Sequence, residues 1–143
     1  MVAHAVGVYS SVMVNTPRFI HLRTHSEYSL LEGALRLKKL PEMCVKAGMP
    51  ALALTDTNNM FAALEFSVAM AGAGVQPIMG CQVDLAYVAV QPGEKPRDPA
   101  PVVLLAQSEV GYENLMKLNT CLYVDKGGQL PQVTLDELDA LST

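Results

Sequence analysis

The stretch ALALT, residues 51–55, constrains the fold of this chain more than any other: it is a short, unbroken apolar run closed by Asp56. A strand with one face in water alternates apolar and polar residues. A strand covered on both faces of a parallel sheet reads instead as a continuous apolar run. A helix precedes it in the pattern. Pro41 fits the first helical position, Gly48 fits the C-terminal cap, and Leu40, Met43, Cys44 and Ala47 make an apolar stripe. Buried strand beside crossover helix is the signature of an α/β fold.

The rest of the chain extends the same order. FIHLRTH (19–25) alternates as a strand does, with Phe19, His21, Arg23 and His25 on one face and Ile20, Leu22 and Thr24 on the other. A second helix is expected around residues 60–71, burying Met60, Phe61, Leu64 and Val68 and breaking at Gly72 and Gly74. Residues 77–90 read as a third strand that runs into an extended segment, with Gly80 marking a bulge or a close approach. A turn-rich loop with three prolines (91–100) leads to a fourth strand, 102–107. A third helix over 112–124 places Tyr112, Leu115, Met116, Asn119 and Leu122 near one face. Thr134 and Glu137 have the spacing of a capping box that opens a last short helix. Right-handed crossovers are expected between parallel strands. Chemistry in such folds collects at the C-terminal ends of the strands, and His25, Asp56 and Gln82 all fall at or just beyond such ends.

The chain has 143 residues, half of them apolar, which suits one globular domain. Its formal net charge is −4, and its ten Lys and Arg residues form no run. Duplex binding rests on clustered cations that neutralise phosphates, so this segment is not expected to grip nucleic acid by itself. Cys44, Cys81 and Cys121 are scattered and odd in number, which suits a reducing cytosol better than a disulfide framework. The first residues lack the basic region and small-residue cleavage site of a signal peptide. No apolar run approaches the roughly 20 residues that span a bilayer. The expectation is a soluble, cytoplasmic protein without membrane contact.

The polar signals each admit two readings. His21 and His25 suit a metal site, and equally histidines satisfied by hydrogen bonds near a sheet rim. Asp56 suits a ligand or general base, and equally a strand-end aspartate that caps the next helix. The Gly-x-Gly of AGAGVQP leaves a helix and enters a strand, the reverse of a dinucleotide-binding turn. The methionines at 43, 49, 60, 70 and 79 sit at core-like positions and need no cofactor.

FIHLRTHSEYSLLEGALRL, GMPALALTDTNNMFAALEF, AGVQPIMGCQVDLAYVA, GYENLMKLNT and VTLDELDALS carry a resemblance. From about Arg18 to the C-terminus the chain resembles the N-terminal PHP domains of bacterial replicative DNA polymerase III alpha subunits. The resemblance implies residues 1–17 as an N-terminal extension and 18–143 as the N-terminal portion of a partial, distorted (β/α)7 TIM-like barrel of the PHP type. Metal-dependent family members hydrolyse phosphoesters with a cluster of divalent cations. Their ligands include a His-x-His pair at the end of the first strand, a histidine directly after the Thr-Asp of the second, and the glutamate of a Gly-x-Glu on the third. Those motifs map here onto Arg23 and His25, onto Thr55, Asp56 and Thr57, and onto Gly80, Cys81 and Gln82. Arg23, Thr57 and Gln82 thus replace three ligands, while His25 and Asp56 remain and Glu32 is a further possible ligand.

Arginine has no lone pair to offer a cation and stays charged. Exchanging one carboxylate for Gln82 and gaining one guanidinium shifts the local charge by about +2, close to that of one divalent ion. Arg23 is therefore expected to stand in for a metal by pairing with Asp56 or Glu32. The implied role is a structural and interaction module with a degenerate metal site and no catalytic residue of its own. The alternative is an active metal-dependent phosphoesterase or proofreading nuclease. No cofactor is expected in this segment; the polymerase activity of the parent family uses Mg in parts that lie elsewhere. Implied partners are the proofreading exonuclease subunit and other replicase subunits, with DNA contacted through the rest of the polymerase. An open sheet edge after residues 102–107 is expected to leave the segment marginally stable or self-associating.

Overall fold

A computed structural model describes residues 19–86, 98–124 and 130–142. The apolar run forms strand β1, Ala51–Leu54, and all four of its residues are buried. Helix α1, Leu40–Ala47, comes before it and ends at Gly48, whose φ of 65° is the left-handed conformation that glycine adopts without Cβ strain. A 3-10 turn, Leu37–Lys39, leads into α1, so Pro41 occupies the second helical position rather than the first. Leu40 and Cys44 of the expected stripe are buried, whereas Met43 and Ala47 are exposed.

Helix α2, Ala63–Gly72, crosses from β1 to strand β2, Gln76–Ala86, and the two strands pair in parallel from Ala51↔Gln76 to Leu54↔Met79. The expected buried side of α2 is overturned. Phe61, Leu64 and Val68 are 74%, 76% and 66% exposed, and the inward residues are Ala62, Ala63, Phe66 and Met70. The segment is apolar on nearly every side, so periodicity selects no face. Ala62, Phe66 and Met70 pack into one core with Leu52 and Leu54 of β1, and Ala63 is buried as well.

Strand β3, Ala100–Leu105, runs antiparallel to β2, from Gly80↔Leu105 to Leu85↔Ala100, so the sheet is mixed. Helix α3, Glu109–Val124, begins three residues before the expected start and buries Asn114, Leu115, Leu118 and Leu122; Met116 is exposed. Strand β4, Val133–Thr134, pairs in parallel with the far end of β2 through Leu85 and Ala86. Helix α4, Leu135–Ala140, opens with the expected capping box, Thr134 Oγ1 accepting from the Glu137 N–H at 3.3 Å and Glu137 Oε2 from the Thr134 N–H at 2.8 Å. Residues 1–18 and 87–97, where the N-terminal extension, the end of the third strand and most of the proline loop were expected, lie outside the described residues.

Strand β2 is the spine. β1 and β4 follow one another along one of its edges and β3 takes the other. Side chains alternate across a sheet, and paired residues share a face. One face carries Leu52, Leu54, Met79, Cys81, Val83, Val102 and Leu104. The first three belong to the core shared with α1 and α2, and the rest to the core shared with Leu115, Leu118 and Leu122 of α3. These helices therefore layer on one side, as in a segment of barrel wall. The opposite face carries Ala53, Thr55, Gly80 and Gln82. Gly80 is a close approach rather than a bulge, since a Cβ there would meet the Leu104 carbonyl at 2.6 Å and Thr55 Cγ2 at 2.9 Å.

Residues 19–25 do not form the expected strand. The Ala53 N–H donates to the His21 carbonyl and the Thr55 N–H to that of Thr24, so three residues on one side are spanned by two on the other. The extra residue breaks the ladder and resets the alternation, as a bulge does. Thr24 turns inward, while His21, Leu22 and Arg23 are exposed. The chain then closes the loop 26–35 on itself, with Glu27 N–H bonded to the Leu35 carbonyl at 2.9 Å and Gly33 N–H to that of Ser29 at 2.8 Å. Gly33 makes this closure possible, because a Cβ there would fall 1.7 Å from the Ser26 carbonyl oxygen. Gly72, in contrast, has open space around it. Gly33→Ala should therefore cost at least about 3 kcal/mol by forcing backbone apart. Gly72→Ala should be neutral or stabilising by up to about 1 kcal/mol. Urea denaturation midpoints of the two variants check both outcomes.

Candidate functional site

Asp56 leaves the end of β1 almost wholly buried and points back at loop 26–35. Its carboxylate accepts from the Ser26 N–H at 2.6 Å, the Ser26 hydroxyl at 2.7 Å and the Ser29 hydroxyl at 2.6 Å. Ser29 Oγ in turn accepts from the Thr57 N–H at 3.0 Å. The carboxylate thus holds the loop against the strand end; it does not cap the next helix, whose N-cap position is Ala62 without a side-chain cap. Sequence reasoning passed over Ser26 and Ser29, although HSEYS places both near a buried strand end.

With the loop fixed, four side chains close a ring. Gln82 Oε1 lies 3.2 Å from His25 Nε2, Gln82 Nε2 donates to Thr57 Oγ1 at 3.3 Å, and Thr57 Oγ1 donates to Glu32 Oε2 at 2.6 Å. Glu32 Oε2 lies 3.4 Å from His25 Nδ1, which closes the ring. Gln82 is buried, His25 nearly so, and Glu32 is at the surface. Gln82 does not sit at the end of its strand, as expected; β2 continues to Ala86. It sits where the β1 ladder gives out, joined to the chain after β1 by the isolated bridge Thr57↔Gln82.

Of the six residues singled out from sequence, His25, Glu32, Thr57 and Gln82 come together, and Asp56 lies behind them holding Ser26 and Ser29. Arg23 does not join. The expected pairing of Arg23 with Asp56 or Glu32 is absent: Arg23 is exposed, Asp56 is filled by serine donors, and Glu32 is engaged by His25 and Thr57. The bulge at 21–24 is the physical cause, since it carries Arg23 out of register with His25. Arg23 instead lines a cavity of about 610 Å³, with His25, Glu32, Leu35, Met43 and Leu52 among the other walls.

Behind the ring, Asn58 adopts a φ of 55°, a conformation asparagine tolerates better than most residues. Its N–H donates to the Gln82 carbonyl at 2.7 Å and its own carbonyl accepts from Tyr123 OH of α3 at 2.8 Å. Cys81 is buried beside it, its thiol within 3.4 Å of the Asp56 carbonyl oxygen and 3.5 Å of that of Asn59. Burial pushes this thiol up to about 11, opposed in part by hydrogen bonds and reinforced by the Asp56 charge. Such a thiol is inert as a nucleophile or ligand. Among the described residues no group of three His, Cys, Asp or Glu side chains is placed to hold a metal ion, and no helix is long and apolar enough to cross a membrane.

The sequence matches the PHP domain family over residues 21–143. It is 42% identical over 114 residues to the DNA polymerase III subunit alpha of Caulobacter vibrioides, a match covering 80% of this chain and 10% of that protein. To the DNA polymerase III subunit alpha of Borreliella burgdorferi it is 34% identical over 128 residues, covering 87% and 11%. The chain spans about a tenth of the length of these curated relatives. Among solved structures, an amidohydrolase from Chromobacterium violaceum is 20% identical with a TM-score of 0.49, over 78% of this chain and 40% of that one.

Asp56→Ala should strand three buried donors and destabilise the chain by at least about 3 kcal/mol; Asp56→Asn should lose roughly 1–3 kcal/mol, because its amide nitrogen cannot accept. Chemical denaturation at neutral pH measures both. For Cys81 the folded thiol holds its proton to about 11 against 9.0 for the free group. Its contribution is fully present below about pH 9 and is lost as pH rises through about 11, a change of roughly 2–3 kcal/mol. Stability compared at pH 8 and above pH 10 should fall less steeply in Cys81→Ala than in the natural chain.

Proposed function

This chain belongs to the PHP domain family, and from that membership we propose that it is a structural and interaction module of a replicative DNA polymerase III alpha subunit, with its metal site degenerate. The observation that carries the reading is the ring. At the ligand positions implied by the family stand a guanidinium that cannot coordinate, a hydroxyl and a neutral amide. The ligand-type groups that remain are engaged with protein: His25 and Glu32 with each other and with Thr57 and Gln82, Asp56 with Ser26 and Ser29. A cluster of divalent cations needs several convergent carboxylates or imidazoles with an open position for water or substrate. The donor set here does not fit one, and no hydrolytic step is assigned to it.

In this reading the DNA-directed nucleotidyl transfer of replication, with its Mg, belongs to the portion of the longer protein beyond this chain. The module contributes to the fold of the polymerase and to the surface that holds the proofreading exonuclease subunit and other replicase subunits, in the cytoplasm. The formal charge of −4 accords with DNA being contacted elsewhere in the protein.

Elemental analysis after exposure to zinc and manganese tests the degenerate site, run beside a variant carrying Arg23→His, Thr57→His and Gln82→Glu. The natural chain is expected to retain no metal, and the variant to retain it. Stoichiometric metal on the natural chain would overturn the reading in favour of a metal-dependent phosphoesterase.

A further inference from the structure

We infer that His25, Glu32, Thr57 and Gln82 form a matched hydrogen-bonded clasp that cross-links four chain segments without a cation. The inference rests on the degenerate-site reading and deepens it. His25 ends the irregular segment 19–25, Glu32 sits on loop 26–35, Thr57 follows β1, and Gln82 lies within β2. No strand ladder joins the loop to β2; this ring does.

Proton bookkeeping shows why these residue types belong together. The Thr57 hydroxyl has one proton, and it goes to Glu32 at 2.6 Å. Thr57 Oγ1 can therefore only accept from position 82, and Gln82 Nε2 donates to it at 3.3 Å. A glutamate at 82 has no proton to give when ionised, and would set a second carboxylate against the same hydroxyl. The amide oxygen left over lies 3.2 Å from His25 Nε2, and accepts from it when that nitrogen carries a proton. Thr57 and Gln82 are thus coupled choices: the neutral amide is the complement of the threonine as much as the loss of a ligand. The ring leaves no buried side-chain nitrogen or oxygen without a partner among the described residues, which is the condition under which a polar network rigidifies a fold.

Melting temperatures of the natural chain, Thr57→Val, Gln82→Met, the double variant, Thr57→Ser and Gln82→Glu, each with and without EDTA, test the clasp. Thr57→Val and Gln82→Met are each expected to lower the melting temperature by about 3–6 °C. The double variant should lose clearly less than the sum, because both remove one network. Thr57→Ser should melt within about 1 °C of the natural chain, Gln82→Glu several degrees lower, and EDTA should move none of them. Additive losses, a serine that fails to restore stability, or a Gln82→Glu chain that melts with the natural one would overturn the clasp and leave the degenerate-site reading standing. A natural chain destabilised by EDTA would overturn both. The serine and glutamate variants carry the test should the valine or methionine chain not fold.

Discussion

The carboxylate of Asp56 is the interaction on which the site depends. It is buried at the end of β1, whose residues are all buried, and three donors from loop 26–35 satisfy it. A buried carboxylate without such donors would be costly, and serine donors without it would be orphaned in turn. Each side therefore holds the other in place, and the loop takes its shape from that exchange. Gly33 lets the loop backbone cross Ser26, and Glu32 reaches Thr57 only because the loop is tied down there. The ring is a consequence of the tether.

The sheet adds a second constraint. Because the α1, α2 and α3 cores lie on one face, the alternation of β2 sends Gly80 and Gln82 to the other. Gly80 leaves that face room for Leu105 and Thr55, whose side chains would lie 2.7 and 2.9 Å from a Cβ there. Gln82 is buried there, with His25 and Thr57 within hydrogen-bonding distance of its amide. A side chain with both a donor and an acceptor suits such a position better than a carboxylate, which offers acceptors alone.

Several elements were legible because their signals are local. An unbroken apolar run marks a doubly covered strand, a left-handed Gly48 ends a helix, and the Thr134–Glu137 spacing makes a reciprocal cap; all three rest on interactions within a few residues. The face of α2 was not legible. With Phe61, Leu64, Phe66, Val68 and Met70 spread around it, the neighbours rather than the pattern chose Phe66 and Met70. The strand expected over 19–25 failed for a related reason, since an alternating sequence cannot announce the extra residue that the pairing with β1 imposes.

By itself the sequence determined the family and most of the order of helices and strands, because these depend on residue identity and short-range spacing. Only the tertiary structure decided what the polar residues near the strand ends do. Whether Asp56 faces a cation or two serines, whether Arg23 turns in or out, and whether Glu32 meets Thr57 are questions of distance between segments remote in sequence. Hydrogen bonds act over about 3 Å. With the extra residue at 21–24, Arg23 is exposed and pairs with neither Asp56 nor Glu32, while the same fold closes His25, Glu32, Thr57 and Gln82 on one another.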